Sequence, residues 1–388
     1  MNVVIAGGGI AALEALLALR RLAEERVRVT LISPDPDFVY RPMLIAEPFD
    51  LGRVYRFNLA RIAAHQGAAL NSRRVISVFE ERQVVRTLDG DDVGFDVLIV
   101  ALGARPAEWL PGALTFGLGD QAQMRRILAG LETGTINAVA FVVPERTGWA
   151  LPIYELALMT ANRLAAEGRR DTELAVVTPE AGPLELFGAK ASEAVAGLLS
   201  ERGVRLVPNT RAVAAGSDSL ELDSGAKLPA DAAVTLPRLE GPRLEGLPAD
   251  ADGFIPVDQW CRIAGGEIIY AAGDATSFPV KQGGIATQQA DTAATDIAAR
   301  SGAAVDPVPF RPVLRGMLLT GGVPEFLRGS LADDSDDPSV ASAEPLWWPP
   351  GKIAGRYLAP YLAEVTETAL PPFEPEVDGS LRIEVRLD

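Results

Sequence analysis

Residues 7–12, Gly-Gly-Gly-Ile-Ala-Ala, constrain this chain more than any other stretch. They follow a short apolar run, Asn2-Val-Val-Ile-Ala6, which reads as a buried parallel strand. After them the period changes. Ile10, Leu13 and Leu17, with Leu16 and Leu19 on the adjoining flank, predict a helix with one buried side. A second apolar run, Val27-Arg-Val-Thr-Leu-Ile32, closes a strand–helix–strand unit. The joint fits G-x-G-x-x-A. Gly7 permits the tight turn, Gly9 lets the backbone approach a pyrophosphate, and the small Ala12 lets helix and strand pack. The helix start then offers free N–H groups and partial positive charge to the phosphates. The spacing predicts a dinucleotide site, against the plainer reading of a glycine-rich structural turn.

The acid that grips the adenosine ribose usually closes the second strand, roughly twenty residues past the glycines. Ser33 stands there, with Asp35 two residues on. Either Asp35 takes that role, or Ser33 makes a neutral hydrogen bond, or Asp35 only shapes the Pro34–Asp37 turn.

Composition narrows the chemistry. At roughly 150 residues per domain, 388 residues suggest two or three domains. The formal net charge of −16 argues against nucleic acid and against charge-driven attachment to anionic lipid. One cysteine, Cys261, excludes an internal disulfide, a cysteine zinc site and a Cys-x-x-Cys centre within one chain. One histidine, His65, at the end of an expected surface helix, leaves no multi-histidine metal site and is given no role. The first twenty residues lack a basic lead, are broken by glycines and contain Glu14, so they do not read as a signal peptide. No other window has the apolar length of a membrane span. The expectation is a cytoplasmic protein whose chemistry comes largely from a cofactor.

Three further stretches sharpen this. Val84–Leu88, a turn at Asp89–Asp92 and Phe95–Leu102 read as a hairpin feeding a buried strand, which ends in Gly103-Ala-Arg-Pro106. Glu267–Ala272 reads as another buried strand, ending in Gly273-Asp274. Pro279–Gln289 reads as a loop entering a helix of small residues.

Together, the G-x-G-x-x-A joint, "FDVLIVALGARP" and "IYAAGDAT" resemble the two-dinucleotide-binding-domain flavoproteins, of the pyridine nucleotide–disulfide oxidoreductase kind. "FVYRPMLIAEPF" (38–49) and "IATQQA" (285–290) resemble the sulfide:quinone oxidoreductase and type II NADH dehydrogenase branch of that superfamily. The resemblance implies an α/β fold of tandem Rossmann-like domains with non-covalent FAD. Residues 1–110 and 246–310 would form the FAD domain, 111–245 an inserted NAD(P)-like domain, and 311–388 a C-terminal segment over the flavin or at a dimer contact. It places Gly7, Gly9, Ile10, Ala11 and Ala12 at the pyrophosphate and Ser33 or Asp35 at the ribose. Arg41, Ala101, Gly103, Gly273 and Asp274 would lie along the cofactor. The helix opening at Gly284–Ile285 would aim N–H groups at the flavin pyrimidine carbonyl. A helix N-terminus stabilises negative charge there by roughly 0.3–2 kcal/mol and so tunes the potential.

Two absences restrict the reaction that the resemblance implies. Cys261 stands alone, so chemistry needing two thiols is not expected, and the residue reads as a small hydrophobe on a strand or turn. The second absence concerns the expected NAD(P)-like unit, where Asn137–Val143 reads as a first strand, Ile153–Leu164 as its helix and Leu174–Thr178 as the next strand. The link between the first two, Pro144-Glu-Arg-Thr-Gly-Trp-Ala-Leu-Pro152, keeps one glycine and carries a tryptophan and two prolines. It reads as a nucleotide site that has decayed, or as one that binds in an altered way, with Glu180 where a ribose acid would sit.

On the acceptor side, Gln288 keeps the place of a glutamine that lies by the quinone in such families, and Gly284 replaces another. Lys281, one of four lysines, either polarises the flavin or is a solvated loop residue. In the C-terminal segment, Val313–Thr320 reads as a strand and turn, Ala332–Val340 as a loop, and Ile353–Leu362 as a helix resuming up to Pro360. Trp347 and Trp348 precede two prolines and form either an acceptor wall or a packing or dimer contact. The tail after Leu370 is acidic and supports membrane attachment only weakly.

The reading is an FAD-dependent oxidoreductase passing two electrons from a small-molecule donor to a quinone-like acceptor, with a homodimer as one arrangement. The alternatives are an NAD(P)H-dependent reductase with an altered nucleotide loop, a sulfide oxidase using Cys261 across a dimer, and an FAD-binding protein without activity.

Overall fold

The N-terminal apolar run becomes the middle strand of a five-stranded parallel sheet in the computed structural model of the chain, which describes residues 1–117, 121–146, 148–169, 171–263, 266–331 and 339–365. The strand order is Ile269–Ala271, Val97–Val100, Asn2–Ala6, Arg28–Ile32, Ala69–Asn71. Ile5 lies opposite Leu31 on one side and Ile99 on the other. All four residues of Val97–Val100 are buried, which is why that run shows no alternation: both faces of the sheet are covered. The strand Ile269–Ala271 arrives late in the chain and pairs with Val97–Val100. The Gly-Asp loop therefore stands beside the glycine joint.

Between these strands the chain leaves through Arg105–Ala107 and returns through Arg238–Glu240, and the two segments pair antiparallel. What they enclose contains a second five-stranded parallel sheet, in the order Leu114–Thr115, Ala232–Thr235, Ala138–Val142, Glu173–Val177, Val204–Val207. The expected strand–helix–strand unit is present, with its helix over Leu151–Ala166. The expected hairpin pairs Val84–Thr87 with Asp92–Gly94, and Val75–Phe79 adds a third strand.

Two helices frame the first sheet's motifs. Ile10–Ala23 and Gly283–Arg300 pack together through small buried residues, Ala11, Ala15 and Ala18 on one and Ala286, Ala290 and Ala293 on the other. The C-terminal part forms an antiparallel sheet of Val313–Leu318, Glu325–Ser330 and Val340–Ser342. It lies flat on the second unit. A Cβ at Gly316 would collide with Leu151 and Phe187, and one at Gly329 with the Phe187 backbone.

The helix expected from Ile353 begins instead at Leu358 and runs to Val365. Pro360 falls in its first turn, where a missing N–H costs nothing, so proline does not end it. Residues 352–357 form an irregular strap. Ala332–Pro338 of the expected loop, and the tail after Leu370, lie outside the described residues. Among those described, no helix is long and apolar enough to cross a membrane.

Candidate functional site

The three joint glycines meet different neighbours. Gly7 has φ +136°, and a Cβ there would drive into the Ala101 carbonyl. A Cβ at Gly8 would strike Leu59 and the Ser33 hydroxyl. A Cβ at Gly9 would meet nothing within 4 Å. The turn is thus fixed by its first two glycines, while the third faces open room before a helix start that no side chain caps. That is the cradle a pyrophosphate requires: free N–H groups, a helix dipole and space.

Gly273, at φ +76°, wedges between the helix starts. A Cβ there would lie 3.1 Å from Ala11 Cβ and 3.3 Å from Ala286 Cβ. Gly7, Gly9, Ile10, Ala11, Ala12, Ala101, Gly273 and Asp274 are therefore brought together. Gly103, at φ +70°, also faces open space. The Gly273 N–H donates to Gln289 Oε1 at 2.8 Å, and Thr276 Oγ1 donates to the Gly273 carbonyl at 3.0 Å. Gln289 is buried and fixes the Gly-Asp turn, a role that sequence reasoning missed although the residue stands in the quoted "IATQQA".

Just past the second strand, Ser33 and Asp35 are placed differently. Ser33 is buried, and its Oγ accepts the Asp35 backbone N–H at 3.3 Å, which sets the turn. The Asp35 side chain is left exposed at the strand end. Arg41 opens the short helix Arg41–Ile45. Burial raises the Asp274 carboxyl above its ordinary pKa, and the charges of Lys281 and Arg41 oppose that shift, so the three are neighbours.

Lys281 and Gln288 are both engaged by groups of the protein itself. Lys281 is no solvated loop residue. It is 9% exposed, donates to the Thr276 carbonyl and sits 3.7 Å from the Phe254 ring centroid. Burial brings its pKa down to about 8, against the pull of Asp274 and Asp250. Its ammonium stitches the Gly-Asp loop to the Phe254 ring. Gln288 is also spoken for. Its Nε2 donates to the Val313 carbonyl at 2.9 Å and to the Gly284 carbonyl at 2.7 Å, while its Oε1 accepts the Val313 N–H at 2.9 Å. It anchors the C-terminal strand. The Gly284 N–H, expected to face the pyrimidine, is accepted by the Gln282 side chain, and Ile285 is buried.

The second unit's helix start is filled. Trp149 packs on Phe187 with centroids 5.5 Å apart. A Cβ on Gly148 would meet the Lys281 side chain, and the Gly148 carbonyl accepts the Lys281 N–H at 3.0 Å. Leu151 lies against Gly316. Glu180, just past the second unit's second strand, accepts Tyr154 Oη–H at 2.6 Å and Thr178 Oγ1–H at 3.0 Å. The strand–helix–strand topology is kept, and side chains of the protein itself pack at this helix start.

Sequence reasoning also missed a buried ion pair. Glu155, on the second helix and fully buried, accepts from Lys352 on the C-terminal strap and from the Leu319 N–H at 2.7 Å. Lys352 also donates to the Met317 carbonyl at 3.1 Å. Glu155 Oε2 is buried and meets no donor among the described residues. Burial pushes Glu155 up and Lys352 down, and each partner's charge opposes the other's shift. The next residue, Ile353, lies against the Gly283 and Ile10 positions where the two helices begin.

The tryptophan pair does not act as one wall. Trp347 packs edge-on against Phe326, centroids 5.1 Å apart, and Trp348 is 80% exposed. Cys261 is fully buried in a turn at φ +61°, where burial and Asp258 push its thiol up. His65 ends the helix Leu59–His65 and lies 3.4 Å from Tyr361 Oη. No cluster that could hold a metal ion occurs among the described residues.

Comparison with known proteins agrees with this architecture. The chain is 27% identical over 378 residues to the ferredoxin reductase component of chlorobenzene dioxygenase from Cupriavidus sp. (strain PS12), covering 86% of this chain and 84% of that protein. Its fold matches the sulfide:quinone oxidoreductase of Aquifex aeolicus with a TM-score of 0.79 at 18% identity, over 88% of this chain and 86% of the other. A ferredoxin reductase of Rhodopseudomonas palustris matches with a TM-score of 0.64 at 21% identity, over 84% and 81%. The family model for pyridine nucleotide-disulphide oxidoreductases matches residues 1–139 and 154–295, breaking off across the Pro144–Pro152 link. This chain belongs to the pyridine nucleotide-disulphide oxidoreductase family and is an oxidoreductase.

Proposed function

We propose that the protein binds FAD non-covalently and passes two electrons from a small donor to a quinone-like acceptor without using NAD(P)H. The observation that carries this reading is the contrast between two helix starts. At Gly9 a Cβ would meet open space, whereas at residues 148–151 the corresponding volume holds Trp149, Phe187, Lys281 and the Gly316 strand. A dinucleotide needs the first situation, and the second, which crowds that backbone approach, supports a reading without NAD(P)H.

When bound, FAD supplies the two-electron carrier. The chain's part is to hold it and to manage charge. Gly7 and Gly9 would let the backbone N–H groups of the first helix reach the pyrophosphate, Asp35 would accept from the ribose, and Gln289, which holds the Gly273–Asp274 turn, would keep that turn in place for the cofactor. The start of Gly283–Arg300 favours negative charge nearby. Glu155 and Lys352 would form a buried proton-holding pair beneath the C-terminal strap. Glu155 Oε2 is the free acceptor atom, and desolvation brings both groups toward neutrality. The solitary buried Cys261 favours a donor that needs no dithiol.

The test is anaerobic stopped-flow mixing of the holoprotein with NADH, NADPH and a panel of small donors including sulfide, followed by a water-soluble quinone. Flavin absorbance should persist with either nucleotide, bleach with a small donor and return with the quinone. Prompt bleaching by NADH or NADPH overturns the reading. It would favour the second one, a nucleotide-dependent reductase serving a protein acceptor, to which the relative named as a ferredoxin reductase component points.

A further inference from the structure

Glu14 and Asp291 are buried or largely buried acids that the proposed function does not use. Glu14 lies in the second turn of the first helix and is wholly buried. Its carboxylate accepts two backbone N–H groups from the far end of the chain, Tyr357 at 2.8 Å and Leu358 at 2.7 Å. It thereby caps the C-terminal helix, whose first N–H groups otherwise lack partners. The strap presses close here. A Cβ on Gly355 would sit 2.7 Å from Glu14 Oε2 and 3.1 Å from Thr287. Thr287 in turn reaches the Ala354 carbonyl at 3.5 Å.

On the other packed helix, the Asp291 carboxyl stands next to Glu14, within interaction range of its carboxylate. Asp291 Oδ1 is buried and meets no donor among the described residues. Two carboxyl groups in contact cannot both be ionised in a desolvated site, so they share one proton. The other charged and titratable groups facing this site are Arg356 and Tyr357 on the strap, with Arg21 farther along the first helix. Arg311 shares a cleft with Asp291 on its outer side.

We propose that Glu14 and the protonated Asp291 form a latch: Asp291 donates its proton to Glu14, Glu14 caps the C-terminal helix, and the strap carrying Lys352 and Ile353 stays over the two helix starts only while that proton is retained. Glu14 and Asp291 are positioning residues here. The consequence for Lys352 rests on the proposed function, whereas the latch and its test do not.

The sign of the pH dependence follows from linkage. In the closed form Asp291 is pushed up to about 9, by burial first and by Glu14 second. With the strap open it meets water and titrates near an ordinary aspartate, about 4. The closed form therefore binds one more proton than the open form between those values. Closure is most favoured at about pH 4–5, where Glu14 is still ionised when the strap opens, weakens about tenfold per pH unit above that and levels off above about pH 9.

Hydrogen exchange of the holoprotein from pH 5 to 10 tests this directly. The readout is the protection of peptides spanning 353–362, each rate divided by its intrinsic rate, with the Asn2–Ala6 strand as the folding control. Wild-type protection should fall about tenfold per pH unit up to about pH 9, then flatten. Asp291→Asn keeps a neutral donor to Glu14 and should remove most of that slope. Glu14→Gln removes the opposing charge and should shrink it while lowering protection throughout. A wild-type profile flat from pH 5 to 9 overturns the latch, and so does an Asp291→Asn slope equal to wild type. The wild-type profile decides even if a variant fails to fold.

Discussion

Gly7→Ala and Gly9→Ala should separate folding from cofactor binding, although they stand two residues apart in one turn. At Gly7 the backbone sits at φ +136° and the new methyl points into the Ala101 carbonyl. Holding a side chain in such a conformation costs roughly 1–3 kcal/mol. Displacing the end of the neighbouring strand adds roughly 1–3 kcal/mol more. The sum is a large part of the roughly 5–15 kcal/mol that stabilises a domain. At Gly9 φ is −92°, which alanine adopts, and the methyl meets no protein atom within 4 Å. Exchanging glycine for alanine at this helix-capping position costs under about 1 kcal/mol. The same methyl occupies the room before the helix start, however, and should weaken FAD by at least about tenfold, or about 1.4 kcal/mol.

Urea unfolding of each apoprotein, followed by tryptophan fluorescence, measures the first quantity, and titration with FAD measures the second. The expected pattern is a large loss of midpoint for Gly7→Ala alone and a large loss of affinity for Gly9→Ala with its midpoint nearly kept. If both apoproteins lose stability equally, or if Gly9→Ala binds FAD like wild type, the open cradle at Gly9 is not where the pyrophosphate rests.

Two more perturbations follow from the packing. Lys352→Met leaves Glu155 buried beside an apolar side chain and should lower stability by roughly 3–5 kcal/mol, read as a fall in Tm. Adding Glu155→Gln should recover most of it, and an unchanged Tm in the single variant would falsify the buried pairing. Gln289→Leu strands the Gly273 N–H, a loss of roughly 1–3 kcal/mol. It should appear as weaker FAD retention at unchanged secondary structure, and full retention would show that Gln289 does not hold the Gly-Asp turn.

What the sequence disclosed and what it hid divide along physical lines. The first strand–helix–strand unit, the buried strand at 97–100 and the Gly-Asp loop were legible because their signals are local: a period, a glycine spacing, an apolar run. The glycine-poor link at 144–152, with its tryptophan and two prolines, stands out for the same reason. Gln288, Lys281 and Gly284 were assigned outward-facing roles because their partners, Val313, Thr276 and Gln282, are set by how the loop and strap fold back. The helix start at Leu358 was missed since its cap, Glu14, lies at the opposite end of the chain. A signal did exist. Glu14 interrupts "ALEALLAL" and Glu155 interrupts "IYELALM", each a lone charge inside an apolar helix, and a buried charge requires a partner.

The two parallel sheets show why topology alone does not carry function. Both place a strand, a tight link and a helix in the same relation, and both keep an acid just past the second strand, Asp35 in one and Glu180 in the other. The topology is the same in both. The decision falls on a few atoms. Gly9 faces room, while Gly148 faces Lys281; Asp35 is exposed, while Glu180 is bound by Tyr154 and Thr178. Restoring a small, open link at 146–152 would still leave Phe187 and the Gly316 strand against the second helix start. A glycine fingerprint grafted there should therefore not confer NADH-dependent flavin bleaching unless the C-terminal sheet is also displaced, and a graft that does confer it by itself would mean that the sheet is no barrier.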